Sequence, residues 1–211
     1  MINLFNNIKP EDKDKILLFL EANTLFYKKN TTILNSVRKE NIIGIVQEGN
    51  IQITKTDYNG NTSIIEDLYE SDIFGFDFSS ISNIEQNIIT KEDSKITIIY
   101  FDDIINKELN YSYYNQFLKN LLIIMSSKIN NANNRIEILS NKTIRNKLLA
   151  YFKIISKKNK SKIIYLPYSY TDLADYLGVD RSAMYRELKH LKEEGLIETK
   201  NKRITLKTYD E

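Results

Sequence analysis

The stretch that most constrains this chain is Ser169 to Leu206, SYTDLADYLGVDRSAMYRELKHLKEEGLIETKNKRITL. It predicts a helix, a tight turn, a second helix and a β-hairpin. Thr171 to Leu177 is a short amphipathic helix with Leu173, Ala174 and Leu177 inward. Ser169 is placed to cap it, because a serine oxygen accepts one of the unpaired N–H groups of the first turn. Gly178 ends it, since glycine takes the left-handed conformation at little steric cost. Asp180 caps the next helix, Arg181 to Glu194. There Ala183, Met184, Leu188 and Leu191 recur at helical spacing, so one side is buried. The other side carries Arg181, Ser182, Tyr185, Arg186 and Lys189. Gly195 closes this helix. Leu196 to Thr199 and Arg203 to Leu206 then alternate apolar and polar around Lys200-Asn201-Lys202, as hairpin strands do.

Two helices around a glycine turn, the second with arginines near its start, suit the DNA major groove. That groove admits one helix, an arginine can donate two hydrogen bonds to guanine, and phosphates attract the surrounding cations. The same pattern also fits a plain helical hairpin with a solvated charged face. Charge distribution favours the first reading. Residues 1–140 carry 14 Lys+Arg and 19 Asp+Glu, whereas residues 141–211 carry 16 and 9. A net +2 therefore hides an acidic N-terminal part and a basic C-terminal part, as expected of a nucleic-acid binder with a separate second module.

The run LADYLGVDRSAMYRELKHLKEEGLI, Leu173 to Ile197, closely resembles the winged helix-turn-helix of the Crp/Fnr family of transcription regulators. The resemblance extends, less specifically, to the N-terminal part. Val46-Gln47-Glu48-Gly49-Asn50-Ile51 and Asn59-Gly60 sit where the family's cyclic-nucleotide-binding-like β-roll has its turns. It implies an α+β chain: an antiparallel, jelly-roll-like β-roll over 1–109, a dimerisation helix over 110–140 and a winged helix-turn-helix over 141–211. It further implies a bacterial-type homodimer on palindromic DNA, control by a small-molecule effector, and contact with RNA polymerase through surfaces that carry no readable motif. Carried over by position, Arg181, Ser182 and Arg186 face base edges or adjacent phosphates, and Ser169 and Thr171 meet backbone phosphates. The family often has Glu where Ser182 stands and Ser or Gly where Tyr185 stands. Without that Glu an acceptor for cytosine N4 is missing, so the half-sites of its best-known members do not transfer.

Upstream, Pro10 begins a helix to about Glu21 with Ile16, Leu17 and Leu20 on one side. The period then changes to two. Strands are predicted at Thr31–Leu34, Ile42–Gly49, Ile51–Lys55, Thr62–Ile65 and Ile96–Tyr100, the third and fourth flanking Asn59-Gly60, a strong hairpin signal. Asp102 is read as the cap of a short helix through Leu109. A long helix from about Tyr111 to Leu139 follows. Its Leu118, Leu122, Met125, Ile129, Ala132, Ile136 and Leu139 are spaced 4-3-4-3-4-3, the seam of a coiled coil. The seam suits either packing on the chain's own β-roll or, within the resemblance, pairing with a second copy. Ser140 to Thr143 breaks it and reads as a hinge, with Thr143 capping a helix from Ile144 to Ser156. A basic loop, Lys157 to Lys162, and a strand, Ile163 to Pro167, lead back to the opening motif.

What the first module senses depends on its pocket. In nucleotide-binding relatives a glycine-glutamate turn holds the ribose and an arginine holds the cyclic phosphate, because an anion in a dry pocket needs a hydrogen-bonding cation. The matching positions here are Gly75, Phe76, Asp77, Gln86 and Asn87. Phe76 replaces the glutamate, Gln86 stands near the arginine position, and no arginine lies between Arg38 and Arg135. The expectation is an effector other than cyclic AMP, although Lys91 offers a partial substitute for the cation. Phe74, Phe76, Phe78, Tyr111, Tyr113 and Tyr114 suit either an apolar effector pocket or, preferably, ordinary core. Without cysteine there is no cysteine-ligated iron–sulfur cluster, disulfide or thiol chemistry. The single histidine, His190, lies in the second module. That argues against haem in the first, against a metal site, and against a cupin-type enzyme or a Ser-His-Asp triad. No apolar run approaches the ~18 residues of a membrane helix and no signal peptide is read, so the protein is expected in the cytoplasm, off the membrane. The alternative regulator is ligand-independent, with the β-roll serving only as scaffold.

Overall fold

A computed structural model describes residues 3–33, 42–56, 62–75, 86–107, 109–166 and 169–207. The chain forms two compact units, Met1–Ser127 and Lys128–Glu211.

The first unit opens with helix α1 (Pro10–Phe19) and seven strands: β1 (Asn23–Tyr27), β2 (Ile42–Glu48), β3 (Ile51–Thr56), β4 (Thr62–Leu68), β5 (Ile73–Gly75), β6 (Gln86–Thr90) and β7 (Ser94–Tyr100). They pair antiparallel in two sheets, ordered β1-β7-β2-β5 and β4-β3-β6. The unbroken apolar run of β2 has a physical reason, since its sheet is covered on both faces. Ile43 and Ile45, with Ile99 of β7, pack against Ile16, Leu20, Ile104, Tyr114, Phe117 and Leu121 from the helical side. The alternate residues Ile42 and Val46, with Ile96 and Ile98, join Ile51, Leu68, Phe74 and Ile88 in a second core on the other face. Period two thus divides one hydrophobic run between two cores. The ring of Phe74 lies over Gly44, its partner across the β2–β5 pair, where any Cβ would collide with it.

Helix α2 (Phe101–Asn106) follows β7 directly, and helix α3 (Ser112–Ser140) runs on into the second unit. In the first unit α3 buries Tyr114, Phe117 and Leu121. Asn120 is also buried; its amide donates to the Leu4 and Asn6 carbonyls and so fixes the N-terminal segment to the helix. Of the coiled-coil seam, Leu118 and Met125 are half-buried against this core, and other members stand clear of it. Leu122, Ile129 and Ile136 are 67%, 59% and 62% exposed, which rules out the reading in which these three pack into their own chain's core.

The second unit comprises the end of α3, α4 (Ile144–Asn159), β8 (Ile163–Tyr165), α5 (Tyr170–Leu177), α6 (Arg181–Glu193), β9 (Ile197–Lys200) and β10 (Arg203–Leu206). Its three strands form an antiparallel sheet ordered β8-β10-β9. One core joins Ile138, Leu148, Phe152, Leu173, Leu177, Met184, Leu188 and Ile204.

Several elements differ from the sequence reading. The first strand is β1, while Thr31–Ile33 makes only one bridge, Thr32 to Ile89. Leu34 and the Asn59-Gly60 turn lie outside the described residues, though β3 and β4 pair as a hairpin must. Asp102 is not a cap: α2 begins one residue earlier, Tyr100 occupies the cap position without a side-chain bond, and Asp102 falls in the first turn. That helix ends at Asn106, not Leu109. Helix α1 stops at Phe19, and Glu21 already has φ of 50°. Helix α4 runs three residues past Ser156, ending before Lys160 in the left-handed region. Helices α5 and α6, and strands β8 and β9, differ from the predicted bounds by one or two residues.

Candidate nucleic-acid interface

The helix pair is set by three local devices. At the start of α5 the Asp172 N–H donates to Ser169 Oγ (3.2 Å), while the Ser169 N–H donates back to Asp172 Oδ2 (3.1 Å), a reciprocal capping box. At its end Gly178 adopts φ of 60°, and the Val179 N–H reaches back to the Ala174 carbonyl. Asp180 then caps α6, accepting from the Ala183 N–H at 2.8 Å. Side chains from other elements hold this arrangement. Lys147 of α4 donates to the Leu177 carbonyl at the end of α5, where a cation meets the negative pole of the helix. Arg145 of α4 bonds both Glu187 and Glu194, at the middle and end of α6. This guanidinium holds the Glu194 carboxyl below its usual range, and the carboxylates raise the arginine in turn. Arg135, near the end of α3, lies 4.8 Å from the Tyr176 ring centroid, and Tyr176 meets Tyr151 edge-on.

Packing of Met184, Leu188 and Leu191 leaves the opposite side of α6 open, with Ala183 half-buried between. Arg181, Ser182, Tyr185, Arg186 and Lys189 are all exposed on it. Neither Arg181 nor Arg186 is paired with a carboxylate among the described residues, whereas Lys189 sits 3.7 Å from Glu193. Ser169 and Thr171 are half-buried, and the Ser169 hydroxyl is engaged with Asp172. The hairpin β9–β10 presents Lys200, Asn201, Lys202 and Arg203, all exposed. This side of the unit therefore offers guanidinium and ammonium groups, which can bind phosphates and base edges.

Sequence reasoning missed Arg145, Lys147, Arg135 and Tyr170 as residues that hold this surface. The partners of Arg145 lie 42 and 49 residues away, so no local pattern marks them.

Of the effector-pocket residues, Phe76 and Asp77 lie outside the described residues, as do Phe78 and the side chain of Gln86. Gly75 has φ of 108°, and a Cβ there would fall 1.9 Å from the Ile42 carbonyl oxygen, so backbone packing alone requires glycine. Asn87 is paired with Thr54 across β3–β6 and is half-buried. Phe74 and Tyr114 belong to different cores, so they do not line a common pocket; Tyr111 and Tyr113 stack on each other instead. Lys91 is exposed and bonds Gln52. Among the described residues no group of His, Cys, Asp and Glu could hold a metal ion, and no helix is long and apolar enough to cross a membrane.

A β-rich module, a long helix and a helix-turn-helix with a β-hairpin wing define a class of DNA-binding transcription regulators. Comparison with known proteins shows what the chain is similar to. Residues 146–211 match the family model of the Crp-like helix-turn-helix domain. Over 184 residues the chain is 24% identical to ycf28 of Porphyra purpurea, described as an HTH-type transcriptional regulator, covering 85% of this chain and 76% of that protein. FixK2 from Bradyrhizobium japonicum shares the fold with a TM-score of 0.57 at 18% identity, covering 89% of this chain and 93% of that one. The c-di-GMP responsive global regulator CLP of Xanthomonas campestris does so with 0.59 at 16% identity, covering 94% and 100%. The second unit thus carries a Crp-like helix-turn-helix domain, and over most of its length the chain is similar to a transcriptional regulator and shares the fold of FixK2 and CLP.

Proposed function

We propose that the protein is a homodimer that reads palindromic DNA through α6 and answers to an effector other than cyclic AMP. The observation that carries the DNA reading is the exposed face of α6, with Arg181, Ser182, Tyr185, Arg186 and Lys189 on one side of a helix locked from the other. The exposed line Leu122, Ile129 and Ile136 supports the dimer: three large apolar side chains at heptad spacing are costly to leave in water and suit a second copy of the same helix. Two copies then meet two half-sites about one helical turn apart. The absence of arginine between Arg38 and Arg135 supports an effector other than cyclic AMP, since the phosphate lacks its usual partner. CLP, with a related fold, is described as c-di-GMP responsive, so this scaffold accommodates other signals.

The test is selection of DNA from a random pool with the purified protein, then fluorescence anisotropy on the selected duplex at near-physiological salt, with and without cyclic AMP. A palindromic site is expected, with no change on adding cyclic AMP. Sequence-blind binding under every condition defeats the assignment. Tight binding without any ligand would favour the ligand-independent form of the regulator, and a gain of affinity with cyclic AMP would overturn the effector reading.

A further inference from the structure

The wing turn is tied to the recognition helix by a side chain outside both. Tyr170, the first residue of α5, donates from its hydroxyl to the Asn201 carbonyl at 2.9 Å. Its ring lies against Tyr185 of α6, with centroids 5.6 Å apart and planes tilted by 50°. Asn201 sits at the tip of β9–β10 with φ of 53°. The carbonyl of the next residue, Lys202, is also taken, by the Leu166 N–H at 2.9 Å. Both carbonyls at the hairpin tip are therefore anchored. The exposed Lys200, Lys202 and Arg203 carry the positive charge of this turn. Burial, and then the neighbouring Tyr185, hold the Tyr170 hydroxyl above its ordinary pKa, so it remains a donor across the neutral range.

We infer that Tyr170 is a positioning residue that fixes the wing turn relative to α6, so that Lys202 meets a DNA phosphate while Arg186 meets its base. Hairpin tips have few contacts of their own and open easily. A cation on a freely moving tip loses conformational entropy when it docks, and one on an anchored tip loses less. The inference rests on the DNA reading proposed above, and adds to it a residue that touches neither base nor phosphate.

The experiment compares Tyr170→Phe, Lys202→Ala and the double variant of the full chain, on the selected duplex and on a scrambled duplex of equal length. Phenylalanine keeps the ring against Tyr185 and removes only the hydroxyl. Lys202→Ala is expected to lower the slope of log affinity against log salt by about two for the two copies in a dimer, since each phosphate contact contributes roughly 0.9. Tyr170→Phe is expected to weaken binding by at least about fivefold, in line with one hydrogen bond lost in each copy, and to lose most of the same slope. The double variant should then lose little more. Amide exchange should quicken at residues 201–202 in Tyr170→Phe and stay unchanged in α6, which also shows that the variant is folded. An unchanged slope in either single variant, effects that simply add, or unaltered exchange at the tip overturns the inference. If the wild type already fails to distinguish the two duplexes, the DNA reading falls and takes this inference with it. If the wild type distinguishes them and Tyr170→Phe matches it in affinity, slope and exchange, this inference alone fails.

Discussion

At the scale of single residues, two side chains of the helix pair make separable predictions. Arg186 is exposed and without a carboxylate partner among the described residues, so removing it leaves the core intact. Arg186→Ala should cost about 1–3 kcal/mol of specific binding, the worth of one bidentate base contact, with no loss of thermal stability. Competition between the selected duplex and random DNA measures it, and undiminished discrimination would remove Arg186 from the reading set. Asp180 makes the opposite case. Its carboxylate satisfies the Ala183 N–H, so Asp180→Ala should destabilise the second unit by about 1 kcal/mol. Urea unfolding checks it, and an unchanged midpoint would mean that water replaces the cap at no cost. Both residues were legible in the sequence, because a cap and an exposed helix position are local facts. Tyr170 was not. An aromatic residue at a helix start looks like core, and only the fold brings its hydroxyl to Asn201, 31 residues later.

At the scale of elements, the contrast between the two modules shows what a sequence can reveal. Helices α4, α5 and α6 could be placed because Thr143, Ser169, Gly178 and Asp180 mark their ends, and each acts in the structure as its chemistry suggests. Strand β1, Asn-Thr-Leu-Phe-Tyr, escaped notice because it is an edge strand. Asn23, Thr24 and Phe26 are exposed, so no clean alternation survives. The α4–α6 contact was equally hidden, and it makes its own prediction. The folded state lowers the Glu194 pKa through the hydrogen bond from Arg145. A carboxyl lowered on folding contributes stability above its unfolded pKa and loses that contribution as pH falls through the folded value. Melting temperature should therefore fall more steeply with acid in the wild type than in Glu194→Gln, from the ordinary carboxylate range downward. At neutral pH the variant should be the less stable of the two. Parallel melting curves across that range would show that the ion pair is too solvated to matter.

At the scale of the whole molecule, the decisive question is whether the exposed seam of α3 meets its like. Leu122, Ile129 and Ile136 are exposed and belong to no core among the described residues, so a charge at Ile129 should leave folding untouched and act only on association. Ile129→Lys should shift sedimentation from dimer to monomer while circular dichroism and the melting of both units stay as they were. The DNA consequence is geometric. A dimer held by one seam fixes the separation of its two recognition helices, so its affinity depends on half-site spacing. Inserting about five base pairs, half a helical turn, between the half-sites puts the second on the far face of the duplex. The wild type should lose most of its affinity for the lengthened site, while Ile129→Lys, binding one half-site at a time, should bind both sites equally and weakly. If the wild type tolerates the insertion, the two copies are not rigidly coupled through α3. If Ile129→Lys remains a dimer, the seam serves another purpose and the association surface lies elsewhere.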